Sequence, residues 1–314
     1  MGETSAERAR VSLLTGPTPV QDMWRLRAAL GGGPRLLVKR DDAIPFGFGG
    51  NKVRKLEFVL AEALAAEADT VVTVGGIQSN HARATAAAAA KLGLGCVLIL
   101  NGVPPERFSG NTLLDQLLGA DIELIPSRAE RAMAAERVLD GLQRQGRRPF
   151  FVPLGASTSA GALGFVAAIG ELVDQGVVPD LIVHAGSSGG TQAGLVAGIA
   201  RHGLATRVIA VSADDPAQEV VSTVRRIIRG IEGLSAFDEP IEVDDTHVGE
   251  GYGIATASSR AAQQLVARTE ALFVDHTYTA KALGALIDYV RSGRFTPEQT
   301  VLFWHTGGQV GLFA

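Results

Sequence analysis

The chain has 314 residues, 46% of them hydrophobic and 20% charged, with a formal net charge of -4. That length suffices for one large domain or two medium ones with real cores, and the composition is that of a soluble globular protein. The charge forms no long run of one sign, which excludes the clustered basic surface of a nucleic-acid binder, and no apolar stretch reaches the roughly 18–20 residues of a membrane span.

Short apolar runs alternate with helical spacing for most of the length. Leu36-Leu37-Val38-Lys39-Arg40 predicts a strand, and 51–67 a helix with Leu56, Leu60, Ala63 and Leu64 on one face. Thr70 to Val74 predicts a strand ending at Gly75-Gly76, with Ser79 or Asn80 capping a helix through Lys91. The longest alanine-rich run, Ala82 to Ala90, is interrupted by Arg83. Strands follow at 96–100, 122–125, 150–152, 181–183, 208–211 and 302–304. Helices are expected at 111–118, 128–145, 161–174, 282–290 and from the glycines at 186–190 through Ala200. This alternation predicts an α/β protein with mostly parallel sheets flanked by helices. So many strands favour two sheets over one. The expected division is a larger domain of residues 1–52 plus 161–314 and a smaller inserted α/β domain of 53–160, with the active site in the cleft between them.

Cys96 is the only cysteine, so no intrachain disulfide can form, and its apolar setting marks a buried strand residue. Met1-Gly2-Glu3-Thr4 lacks the basic start and apolar core of a signal peptide, so a cytoplasmic protein is expected.

Four segments carry chemistry. In Gly47-Phe48-Gly49-Gly50-Asn51-Lys52-Val53-Arg54-Lys55 a lysine follows a glycine-rich turn and opens a helix. The helix dipole opposes a cation there and favours the neutral amine, the form that attacks an aldehyde. Taken alone, the same pattern also describes a surface lysine beside a turn. It is not a Walker phosphate loop, because the Gly-x4-Gly-Lys-Ser/Thr spacing is absent. The second segment, Gly75-Gly76-Ile77-Gln78-Ser79-Asn80-His81, lies between a strand and a helix, the usual address of a ligand site in an α/β protein. Helix capping by Ser79 or Asn80 explains it equally well.

In the third, His184 to Gly194, a strand runs through Ser187-Ser188-Gly189-Gly190-Thr191 into a helix. Hydroxyls and backbone N–H groups converging on a helix start suit a phosphate dianion. The glycine spacing is wrong for a dinucleotide fingerprint. The fourth, Asp275-His276-Thr277-Tyr278-Thr279-Ala280-Lys281, sets a tyrosine among polar residues before a helix. Tyr252 in Gly251-Tyr252-Gly253 is similarly flanked by turn residues, and either ring could simply pack with its hydroxyl in solvent.

Together and in this order, these segments resemble the D-cysteine desulfhydrase and 1-aminocyclopropane-1-carboxylate deaminase family. These are pyridoxal 5'-phosphate (PLP) enzymes of the tryptophan synthase β-like fold, fold type II. Leu14 to Val20, Lys39-Arg40-Asp41-Asp42, Gly161 to Phe165 and His305-Thr306-Gly307-Gly308 also fit the family, so the likeness covers nearly the whole chain.

The resemblance implies that Lys52 carries the cofactor as a Schiff base and later moves protons on one of its faces. It implies that Asn80 meets the ring hydroxyl and that Ser187, Ser188, Gly189, Gly190 and Thr191 hold the phosphate. Thr279 would contact the pyridine nitrogen, where a hydroxyl in place of an acid weakens the electron sink and favours β-elimination. Ser79, Asn80 and His81 would meet the substrate, with Ser79 assisting proton transfer. Tyr252 and Tyr278 would line the substrate face, Tyr278 being the better acid/base candidate.

Ser-Asn-His and a threonine at these places point to D-cysteine desulfhydrase-like β-elimination, giving pyruvate, ammonia and sulfide. The alternatives are hydrolytic ring opening of 1-aminocyclopropane-1-carboxylate to 2-oxobutyrate and ammonia, and sulfite release from L-cysteate. No segment of the sequence supplies an obvious arginine clamp for a sulfonate. His276 and Thr277 replace an apolar pair usual in the family. The resemblance further implies a homodimer acting on a small amino acid, with no metal, nucleic acid or membrane as partner.

Overall fold

The computed structural model describes residues 9–314. The stretch Met1 to Thr4, read above as lacking a leader, lies outside them. The chain opens with β1 (Val20–Asp22), α1 (Trp24–Ala29) and β2 (Arg35–Arg40). A first α/β run follows: α2 (Asn51–Ala65), β3 (Thr70–Gly76), α3 (Asn80–Leu92), β4 (Gly95–Asn101), α4 (Gly110–Leu117), β5 (Asp121–Ile125), α5 (Arg131–Arg144) and β6 (Pro149–Val152). The second comprises α6 (Ser159–Asp174), β7 (Leu181–Gly186), α7 (Gly190–His202), β8 (Arg207–Ser212), α8 (Ala217–Arg229), β9 (Glu242–Asp244), α9 (Ala257–Glu270), α10 (Thr279–Arg291) and β10 (Thr300–His305).

The strands form two sheets. One has the order β5-β4-β3-β6 and is parallel throughout; the other runs β1-β2-β10-β7-β8-β9 and is parallel except for β1. Every residue of β7 is buried, as expected of a strand covered on both faces. Cys96 lies buried on β4. In α2, Leu56, Leu60 and Ala63 are fully buried, whereas Leu64, expected on the same face, is 40% exposed. The three-residue strands β1 and β9 and the helices α1, α8 and α9 were not expected from the sequence.

The smaller sheet comes entirely from residues 70–152, and the larger from 20–40 plus 181–305. The outer segment of the chain, however, does not pack wholly with the larger sheet. Leu13 is buried in the core of the smaller one, and the N–H groups of Leu13 and Leu14 both donate to Glu57 Oε1 at 2.9 Å. A boundary after Lys52 also falls inside the first turn of α2, whose apolar face belongs to that same core. The expected division of 1–52 from 53–160 therefore needs correction at both places: a helix cannot be divided within a turn, and apolar side chains go where they are covered.

Helix α6 is laid between α2 and α7 by glycines. A Cβ on Gly164 would stand 2.1 Å from the Arg54 carbonyl, and one on Gly194 2.2 Å from that of Ala162. Beneath this crossing lies a buried ionic network. Arg54 on α2 donates to both oxygens of Asp41 at 2.8 and 2.9 Å and to Glu171 of α6 at 2.8 Å. Lys39 of β2 donates to Glu171 at 2.5 Å, and the Trp304 indole of β10 to Asp41 at 2.8 Å. Burial works to raise the Glu171 carboxyl, but the Arg54 and Lys39 cations outweigh it and hold it at about 2.

Removing Arg54 would leave Asp41 buried without its partner. Arg54→Met is expected to cost about 3–5 kcal/mol in urea unfolding. The depressed Glu171 carboxyl contributes stability above its ordinary value of 4.5. That contribution should disappear as pH falls from 4.5 toward 2, visible as a falling unfolding midpoint in an acid titration.

Candidate active site

Between the two sheets lies a cavity of about 440 Å³, built from the C-terminal ends of strands and the helix starts that follow them. Lys52 enters it from the first turn of α2. The turn before it is pinned by close backbone approach: Asn51 N–H donates to the Thr306 carbonyl at 3.0 Å, and a Cβ on Gly307 would stand 2.7 Å from Gly50 Cα. Gly49 and Gly50 have φ of 68° and 97°, where other residues are strained. Arg83 of α3 donates to the carbonyls of Gly47 and Gly49, holding the turn from the other side.

The Lys52 ammonium donates to Asn51 Oδ1 at 3.0 Å, and Asn51 Nδ2 donates to Thr191 Oγ1 at 2.9 Å. One side chain thus ties the lysine to the start of α7. Burial, then the Arg83 charge, lower the Lys52 pKa to about 8, with Asp275 opposing. An appreciable fraction of the amine is therefore neutral and nucleophilic near neutral pH.

At α7, the N–H groups of Ser188, Gly189, Thr191 and Gln192 have no acceptor among the described residues. Ser187, Ser188, Gly189 and Thr191 line the cavity. Gly190, expected among them, does not. Its N–H is committed to the Ser188 carbonyl and Ser157 Oγ, and a Cβ there would stand 2.7 Å from Ser157 Oγ, so it is a packing glycine. Lys55, one helical turn past Lys52, also lines the cavity. Its ammonium is fully buried and, among the described residues, has only the Gly155 carbonyl at 3.0 Å and Ser157 Oγ at 3.3 Å as partners. Burial, then Lys52, push its pKa well down. A buried cation with neutral partners beside unpaired N–H groups fits a bound phosphate.

At the start of α3, Ser79 does what the plainer reading expected: its Oγ accepts from Ala82 N–H at 3.2 Å. It lines the cavity as well, and among the described residues its hydroxyl proton has no acceptor and neither do the N–H groups of Asn80 and His81. Asn80 Oδ1 accepts from Asn111 at 3.0 Å, which orients its amide nitrogen for a ligand. His81 is buried and held neutral, its pKa driven well down by burial and then by Lys52 and Lys55. Thr73 donates to the Val152 carbonyl, so the His81 Nε2–H must donate to Thr73 at 2.8 Å. That assignment leaves Nδ1 as an unpartnered acceptor. His184 Nε2 and Gln192 Oε1 on the same cavity wall are likewise buried and unpartnered. Three orphaned polar atoms around one cavity indicate a polar ligand.

Tyr252 and Tyr278 face each other, hydroxyl to hydroxyl at 2.7 Å, with their rings edge-on. Burial raises both phenols, Tyr278 well above its ordinary value, so each keeps its proton. Thr279 does not line the cavity. Its hydroxyl accepts from Asp275 N–H and donates to Asp275 Oδ1 at 2.7 Å, because it begins α10 and folds back on the residue that caps the helix. From this segment it is Asp275, His276, Thr277 and Tyr278 that line the cavity. The Thr279 hydroxyl, expected to meet the pyridine nitrogen, is engaged by Asp275 in this structure.

Sequence reasoning assigned no role to Asn51, Lys55, Arg83, His184 or Asp275. Asn51 and Lys55 sit in the lysine segment itself, and helical spacing past Lys52 was the signal that could have found Lys55.

A half-buried, partly neutral lysine sharing a cavity with a helix start whose N–H groups are unpaired defines a cofactor-dependent α/β enzyme. The family model described as pyridoxal-phosphate dependent enzyme matches residues 11–307, and the chain belongs to this family. It is similar to D-cysteine desulfhydrases of Klebsiella pneumoniae subsp. pneumoniae, at 39% identity over 97% of this chain and 95% of that protein, and of Serratia proteamaculans, at 38% over 98% and 96%. A solved ACC deaminase homologue superposes with a TM-score of 0.91 at 35% identity, over 98% of this chain and 94% of that one. A PLP-dependent aspartate racemase shares the fold, with a TM-score of 0.71 at 16% identity over 93% of this chain and 90% of that one. PLP is the cofactor.

Two outcomes test the geometry. Lys55→Met is expected to weaken PLP binding about tenfold or more while changing the affinity for phosphate-free pyridoxal much less, measured by equilibrium titration. The rate at which apoenzyme develops visible absorbance with PLP should rise as pH climbs through about 8, because the neutral Lys52 amine becomes the major form above that value.

Proposed function

We propose that this enzyme is a carbon–sulfur lyase that eliminates the β-substituent of a small amino acid, D-cysteine in the first instance, releasing pyruvate, ammonia and sulfide. Bound PLP supplies the electron sink that lets a proton leave Cα and a substituent leave Cβ. The chain supplies the rest. Lys52 Nζ, partly neutral in its half-buried setting, receives the Cα proton. The free N–H groups of Asn80 and His81, with the Ser79 hydroxyl, bind the substrate carboxylate at the positive end of α3. Neutral Tyr278, hydrogen-bonded to Tyr252, offers a phenolic proton on the substrate side.

The observation that carries this reading is the convergence of Lys52, the α7 nest and the tyrosine pair on one cavity. The similarity to D-cysteine desulfhydrases over nearly the whole chain supports the substrate. Ring-opening deamination of 1-aminocyclopropane-1-carboxylate is the second reading, favoured by the solved ACC deaminase homologue. Assembly as a homodimer and a cytoplasmic location are proposed on family resemblance alone. Among the described residues no helix is long and apolar enough to cross a membrane.

The product decides. Wild-type holoenzyme given D-cysteine should release sulfide and pyruvate in equal amounts, and Lys52→Ala should lower the rate by about a thousandfold or more. Release of 2-oxobutyrate from aminocyclopropane carboxylate, with no sulfide from D-cysteine, would replace this reading with the second.

A further inference from the structure

Two arginines that belong to none of the four sequence segments line the active-site cavity. Arg128 and Arg131 sit where the chain enters α5, on the side of the smaller sheet. Arg128 has its counter-charge: it lies 2.8 Å from Asp214 Oδ2, with its guanidinium 6.0 Å from the centre of the Tyr252 ring. Arg131 has none. Its Nε donates to Asn101 Oδ1 at the end of β4 at 2.8 Å, and a second nitrogen reaches the same oxygen. No carboxylate among the described residues forms an ion pair with it.

This placement is unfavourable for the free protein. Arg131 is the first residue of α5, where the helix dipole opposes a cation, and it is partly buried beside Arg128. Burial first, then Arg128, lower its pKa, while the nearby Tyr252 and Tyr278 act the other way. Among the described residues the cavity therefore has three cationic side chains with only neutral hydrogen-bond partners: Lys52, Lys55 and Arg131. The aldehyde and phosphate of the cofactor account for the first two. The substrate carboxylate has the unpaired N–H groups at the start of α3. Of the groups on a β-substituted amino acid, the β-substituent is the one still without a partner, and Arg131 is the cavity cation still without an anion.

We propose that Arg131 is the subsite for the β-substituent, and that it selects substituents leaving as sulfur anions, hydrosulfide or sulfite. This subsite presupposes the lyase reading above. In the step it serves, the Cα–H bond breaks and its proton passes to Lys52. The Cβ–S bond breaks with its electron pair going to sulfur, and the sulfur anion meets the guanidinium. The three-carbon enamine that remains takes up water to give pyruvate and ammonium. No oxidant or reductant is required. Two or more free N–H groups of Arg131 beyond those on Asn101 provide the fork that an oxyanion or a sulfide accepts.

The test compares wild type, Arg131→Gln and Arg131→Lys as holoenzymes on D-cysteine, on cysteate in both enantiomers, and on β-chloro-D-alanine, whose weakly basic chloride departs unaided. Arg131→Gln should lower kcat/KM at least about tenfold for the sulfur substrates and much less for the chloride, with Arg131→Lys recovering part of the loss. Turnover of D-cysteine alone or of a cysteate alone identifies hydrosulfide or sulfite as the anion served. A binding measurement is independent of turnover. Calorimetry should find 3-sulfopropionate, which lacks an amine, bound at least about tenfold more tightly than propionate by wild type, and the preference erased in Arg131→Gln. An equal loss on all three substrate types, or a sulfonate preference that survives the substitution, overturns the subsite. Wild-type enzyme that releases no keto acid from any of them fails the lyase reading itself; the calorimetric comparison then decides the anion subsite separately.

Discussion

One asparagine side chain holds the working geometry together. Asn51 accepts from Lys52 and donates to Thr191, so the amine at the start of α2 and the anion nest at the start of α7 are held at a set separation. Everything around this link serves to keep it short. Gly50 and Gly307 let two backbones cross where side chains would collide, and Gly164 lets α6 press against α2. The Arg54–Asp41–Glu171–Lys39 network fixes α2 from below, two residues from the lysine it positions. Burial there costs the ions their hydration, so breaking one pair is more damaging than its net contribution suggests.

The site also shows how one low-dielectric cleft gives similar side chains different work. Lys52, Lys55 and Arg131 all line it and hydrogen-bond neutral partners, each a different one: Asn51, Gly155 and Asn101. Lys52 stays reactive because its pKa falls only to about 8, whereas Lys55 is pushed well down and needs an anion to be comfortable as a cation. The two histidines are held neutral by burial and present acceptor lone pairs, and the two tyrosines are held neutral and present protons. A cleft that presents donors, acceptors and cations together suits a zwitterionic amino acid.

What was legible in the sequence was local. A lysine after glycines, Ser79-Asn80-His81 after a strand and a small-residue loop before a helix are contiguous patterns, and the last two mark strand ends, where ligands bind in such folds. What was hidden depends on distant contacts or on which way a side chain turns. Thr279 sits in the expected segment, but Asp275, four residues back, takes its hydroxyl. Gly190 lies in the expected loop, but contact with Ser157, thirty-three residues away, decides its role. Arg131 carries no motif at all; only the packing of α5 beside β3 and β4 brings it to the cleft. Strands of three residues, such as β1 and β9, are too short to show a period and are recognised only by their partners in the sheet.

The central claim is a covalent bond at one nitrogen. Holoenzyme reduced with borohydride, digested and analysed by mass spectrometry should lose its visible absorbance and yield a single modified peptide, with the mass of the reduced cofactor on Lys52. The same mass on Lys55 or on another lysine, or an absorbance that survives reduction, would contradict the account.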